Sequence, residues 1–167
     1  MIRFENVTKK FSSAITALDD ISFEISQSEF VFLVGPSGAG KSTVLKILIR
    51  ELLPTTGKVI VNHQDITKLN NQDIPKYREK IGVVFQDFKL LEDKTVFENV
   101  ALTLEVQGRS ESEIEKEVEH TLKLVEIYNR RNLFPRQLSG GEAQRTAIAR
   151  AVVGKPDPLA RLGAQPE

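Results

Sequence analysis

Apolar and polar positions alternate over Ile21-Ser22-Phe23-Glu24-Ile25, the two-residue period of a strand with one buried face. Residues 2–7 read as a strand too. The run Phe30-Val31-Phe32-Leu33-Val34 is apolar without a break, which predicts a strand buried on both faces. After a glycine-rich turn the period changes. Val44, Leu45, Leu48, Ile49 and Leu52 fall at helical spacing and predict a helix over 43–53, stopped by Pro54. Lys58 to Val61 reads as a short strand, and Ile81-Gly82-Val83-Val84-Phe85 as a further buried one.

Beyond residue 86 the pattern becomes helical. Thr95-Val96-Phe97-Glu98 is a capping box whose helix Gly108 closes, and Ser110-Glu111-Ser112-Glu113 is a second. The second helix sets Ile114, Val118, Leu122 and Val125 on one face. A third box, Ser139-Gly140-Gly141-Glu142, opens a helix to Val153, ended by Gly154 and Pro156. The expected organisation is an α/β core over 1–86, a mainly helical subdomain over 87–138, a return to the core over 139–157 and an atypical tail over 158–167.

Composition narrows the function classes. The chain has 167 residues, the size of one domain, and 40% of them are hydrophobic, enough for a core. Basic and acidic residues number 23 each, which argues against bulk attraction to nucleic acid or anionic lipid. With no cysteine there is no disulfide framework, thiolate nucleophile or zinc-thiolate site. The N-terminus lacks the apolar run of a signal peptide, and Phe30–Val34 is too short to span a bilayer.

Gly35-Pro36-Ser37-Gly38-Ala39-Gly40-Lys41-Ser42 satisfies G-x-x-x-x-G-K-[ST], between a predicted strand and a predicted helix. Its glycines let successive N–H groups turn inward, and these amides with the helix N-terminus, through Thr43, cradle phosphate oxygens. Lys41 reaches the β- and γ-phosphates, and Ser42 offers a hydroxyl to Mg²⁺. GTPases share this loop, but their Asn-Lys-x-Asp and Asp-x-x-Gly elements do not occur in this chain.

Leu138-Ser139-Gly140-Gly141-Glu142-Ala143-Gln144-Arg145 resembles the signature motif of the ABC ATPases, with Glu142 where the usual form has Gln. Ser139 can cap the helix while Gly140 and Gly141 leave its amides uncovered, a site that attracts phosphate. The resemblance implies a P-loop NTPase fold of the ABC type. It implies ATP and Mg²⁺ as cofactors, and a homodimer in which Ser139, Gly140, Gly141 and Glu142 face the γ-phosphate held by the other protomer. Gln86, directly after a strand, matches the glutamine that touches Mg²⁺ and the attacking water. Phe11 stands where the family places an aromatic that stacks on adenine, for which its ring offers a π face.

Residues 1–7, 32–43 and 83–91 further resemble the cell-division branch of the family. That implies a peripheral protein on the cytoplasmic face of the membrane, bound to an integral membrane protein of the FtsX type and signalling to cell-wall hydrolases. A small exporter ATPase of the lipoprotein or macrolide type is the alternative. A third class is an ABC protein acting on nucleic acid. Lys76, Arg78, Lys80, Arg130 and Arg131 could touch phosphates, but acids are interspersed among them, as on a solvated face, so no nucleic acid partner is expected.

The family pattern stops at Asp157. There the resemblance calls for an apolar strand ending in Asp-Glu, which binds Mg²⁺ and polarises water, and then a switch histidine. The chain instead reads Pro158-Leu159-Ala160-Arg161-Leu162-Gly163-Ala164-Gln165-Pro166-Glu167. His63 and His120 precede the signature and are expected at the surface. A positioned general base contributes roughly 10²–10⁴-fold, so slow or absent turnover is expected, along with exposed edges on the strands beside the missing one. The abrupt change fits a truncated or frameshifted product.

Overall fold

The computed structural model describes residues 1–27 and 29–155, and the backbone of 161–163. Contacts divide the chain into two units, Met1–Arg78 and Glu79–Glu167.

In the first unit, β1 (Ile2–Lys10), β2 (Thr16–Ile25), β3 (Thr56–Val61) and β4 (Gln64–Asp65) form an antiparallel sheet of order β2-β1-β3-β4. Ile2 and Phe4 are buried at a period of two, and the next buried position is Val7. A register shift between Phe4 and Val7, with Asn6 at φ 48°, supplies the extra residue and turns Val7 back to the core. Phe4 lies opposite Phe23 and Val59, with the two rings stacked at 4.5 Å between centroids.

Helix α1 (Lys41–Leu48) buries Val44, Ile47 and Leu48. It ends five residues before the sequence pattern predicts. Arg50, at φ 59°, donates its N–H to the Ile47 carbonyl, and Glu51 donates to that of Lys46. These two bonds are a Schellman closure built on a left-handed arginine where glycine is usual. The last carbonyls are satisfied by α2 (Ile74–Arg78): the buried Tyr77 hydroxyl donates to the Leu48 oxygen at 2.6 Å, and Arg78 donates to those of Ile49 and Arg50.

The predicted strand over 30–34 is not formed. Phe30 is 82% exposed and Val34 84%, and no described strand pairs with this segment. An apolar run becomes a central strand only where neighbours satisfy its N–H and C=O groups on both edges. The sheet of the first unit offers it neither.

In the second unit, α3 (Val96–Val106), α4 (Glu111–Leu124) and α5 (Gly140–Val153) enclose a core of Val96, Val100, Leu104, Val118, Leu122, Ala149 and Val153. The predicted face of α4 holds, with Val118 and Leu122 fully buried and Ile114 and Val125 packed at its margin. The α3 box is made in both directions: Glu98 accepts from the Thr95 N–H, and Thr95 Oγ1 accepts from the Glu98 N–H. At α4, Glu113 accepts from both the N–H and the hydroxyl of Ser110.

β5 is Gly82–Val84, shorter than predicted, with Gly82 buried and both valines half-buried. It pairs in parallel with β6 (Arg161–Gly163), Val83 standing opposite Leu162. This pairing covers one edge of β5; the two-stranded sheet leaves its other edge without a strand partner among the described residues. Ladder bonds are made by the main chain, so the pairing needs no particular side chains. Among the described residues, no helix is long and apolar enough to cross a membrane.

Candidate functional site

The phosphate loop belongs to the first unit. Gly40 caps α1 at φ 87° with no side-chain cap bond, so the N-cap residue itself leaves the first-turn amides uncapped. A Cβ at Gly40 would run into the Ala17 carbonyl, so both its dihedral and its surroundings demand glycine. Upstream, the Ala39 N–H donates to the Pro36 oxygen at 3.1 Å and closes the turn. Lys41 extends back across the loop, its Nζ donating to the carbonyls of Gly35 at 2.7 Å and Pro36 at 3.1 Å. The ammonium is thus held on the carbonyls at the start of the loop.

Gly35, Pro36, Ser37, Gly38 and Ala39 are exposed, as is Ser42, whereas Thr43 is buried on α1. Phe11 lies at the β1–β2 turn, 54% exposed, with Lys9 Nζ 5.4 Å from its ring centroid. Its ring is available at the surface and takes no part in the core. His63 and His120 are both exposed, as expected.

The other candidates belong to the second unit. Gln86 is exposed in the turn after β5. Phe88 and Lys89 follow at φ 56° and 49°, a left-handed pair of non-glycine residues. Such backbone costs about 1–3 kcal/mol per residue and persists where surroundings impose it. Here Arg150 of α5 does so, donating to the Phe88 carbonyl at 2.6 Å and the Lys89 carbonyl at 2.7 Å. Asn99 holds the next stretch. Fully buried on α3, it accepts from the Leu91 N–H and donates to the carbonyls of Leu91, Lys94 and Thr95. Sequence reasoning singled out neither residue. For Asn99 a signal existed: a polar side chain at the core spacing of Val96 and Val100.

Ser139 caps α5 through a full box. Its Oγ accepts from the Glu142 N–H at 3.4 Å, and Glu142 Oε2 accepts from the Ser139 N–H at 2.9 Å. Gly140 and Gly141 are exposed, and a Cβ on either would meet no heavy atom within 4 Å. The two glycines at the opening turn of α5 thus have open space on their side-chain side. Glu142 Oε1 accepts from Arg130 Nε at 2.7 Å. This bond, then those from Ser139, bring the Glu142 pKa down to about 2.

Of the basic residues weighed as phosphate contacts, Arg78 caps α1, Arg130 pairs with Glu142, and Arg131 stacks on the Tyr128 ring at 4.4 Å. Among the described residues no group of three or more His, Cys, Asp or Glu could hold a metal ion. The missing Asp-Glu pair and the tail over 158–167 lie outside the described residues, apart from the backbone of β6.

A family model described as ABC transporter matches residues 18–160. The cell division ATP-binding protein FtsE of Bacillus subtilis is 51% identical over 157 residues, covering 94% of this chain and 69% of that protein. Methionine import ATP-binding protein MetN 1 of Bacillus cereus is 44% identical over 162 residues, covering 95% of this chain and 47% of that protein. Among solved structures, the dimeric ATP-binding cassette MJ0796 in a post-hydrolysis state bound to ADP and Pi matches with a TM-score of 0.86. Its sequence identity is 39%, over 93% of this chain and 71% of that one.

Proposed function

The chain belongs to the ABC transporter ATP-binding family and has its α/β cassette fold, and from that premise we propose that it is the ATP-binding subunit of an FtsEX-like cell-division complex. In this reading it works as a homodimer at the cytoplasmic face of the membrane. ATP is clamped between the phosphate loop of one protomer and the α5 N-terminus of the other, and closure is passed through an FtsX-type membrane protein to cell-wall hydrolases. One observation carries the nucleotide role: a glycine N-cap on α1 with no side-chain cap bond, and Lys41 folded back onto the loop carbonyls of Gly35 and Pro36. Likeness to FtsE supports the cell-division assignment.

Residue roles follow from chemistry. Loop amides and Lys41 bind phosphate, and Phe11 offers its exposed ring to adenine. Ser42, exposed on the first turn of α1 beside Lys41, fits a Mg²⁺ that also takes oxygens from the nucleotide. Turnover is slow, because no Asp-Glu pair follows the signature helix in this sequence. MetN 1, an import protein, is 44% identical to this chain, which keeps a transporter role as the second reading. Co-expression with an FtsX-type protein and with the membrane subunit of a transporter separates the two. The account expects this chain to be retained on membranes with the former only. Retention by the transporter subunit alone would overturn the cell-division assignment.

A further inference from the structure

We propose that Arg130 is a positioning residue that compensates the charge of Glu142, so that an acidic side chain can stand at the phosphate-facing start of α5. The inference rests on the reading of Ser139–Glu142 as that face.

The geometry is specific. Glu142 lies in the first turn of α5, where its carboxylate satisfies the Ser139 N–H and hydroxyl through Oε2. That half of the contact builds the helix cap. It also places a full negative charge on the turn where Gly140 and Gly141 put no side chain in the way of a ligand. A second anion approaching these amides meets the helix dipole as an attraction and the carboxylate as a repulsion. Arg130 removes the repulsion by donating Nε to the other oxygen, Oε1, at 2.7 Å.

Arg130 is itself held from below. It ends the single 3-10 turn Tyr128–Arg130, and its N–H donates to the Ile127 carbonyl at 2.8 Å. Arg131 and Lys123 lie over the Tyr128 ring at 4.4 and 4.9 Å, fixing that turn against α4. The Arg130 side chain is about half exposed while that of Glu142 is mostly covered, at 52% and 18%. An amide at position 142 could keep the bonds to Ser139 without the charge and would need no such partner.

The test is a double-mutant cycle read by sedimentation equilibrium in Mg²⁺ and a slowly hydrolysed ATP analogue. Wild type, Arg130→Gln, Glu142→Gln and the double variant are compared, with thermal unfolding followed in parallel. Arg130→Gln is expected to weaken the nucleotide-driven dimer on the order of tenfold. In the Glu142→Gln background the same change is expected to have little effect, and Arg130→Lys should recover much of the loss. A loss of equal size in both backgrounds, or none in either, overturns the inference while leaving the functional reading in place. A wild-type chain that forms no nucleotide-driven dimer overturns that reading and the inference together.

Discussion

Both carboxylate oxygens of Glu142 are engaged, one by Ser139 and one by Arg130, and its pKa falls from 4.5 to about 2. A carboxylate lowered in the folded state adds stability that is present above its unfolded pKa and is lost as pH falls through the folded one. The Glu142 contribution is therefore complete above about pH 4.5 and disappears toward pH 2. Glu98 and Glu113, lowered by their own helix caps, share this acid sensitivity, so the comparison must be between variants. Denaturant unfolding at pH 5.5 and pH 3 should show a smaller acid loss in Glu142→Gln than in wild type. An equal loss in both proteins would contradict the assignment of this carboxylate.

Among elements, the segment from Gln86 to Thr95 shows most clearly what the sequence conceals. It has no regular structure, yet Arg150 and Asn99 bind six of its main-chain groups. Hydrogen bonds to a charged donor contribute about 1.5–3 kcal/mol each. Arg150 makes two of them, so Arg150→Ala should destabilise the second unit by about 3–6 kcal/mol. It should also speed amide exchange over 86–91 well beyond the change elsewhere. Uniform acceleration would mean that Arg150 supports the fold at large and not this segment.

The three capped helices were legible, because Thr95, Ser110 and Ser139 each precede a glutamate three residues on and apolar spacing follows. The end of α1 was not, since its Schellman turn uses Arg50 in place of glycine. Nor was the state of Phe30–Val34. Its composition reports that a strand would be stable between two others, and no composition can report whether those neighbours are present. The pairing of β6 with β5 is the converse case, a main-chain event with little side-chain signature.

For the whole molecule, the two chemical faces reside in different units: the phosphate loop in Met1–Arg78 and the signature helix in Glu79–Glu167. The loop, the signature glycines and the family assignment were all readable from the sequence, because each depends on local backbone chemistry. Arg130 was read as one of several surface cations, because its partner is twelve residues away and across a turn. The central claim is that Gly35–Ser42 holds ATP while the chain turns it over slowly. Equilibrium titration with ATP and Mg²⁺, with phosphate release followed in the same samples, tests it most directly. The account predicts saturable binding that Lys41→Ala abolishes, with phosphate release roughly 10²-fold or more below that of a relative carrying the Asp-Glu pair. Binding that survives Lys41→Ala, or brisk phosphate release that Lys41→Ala abolishes, would contradict it.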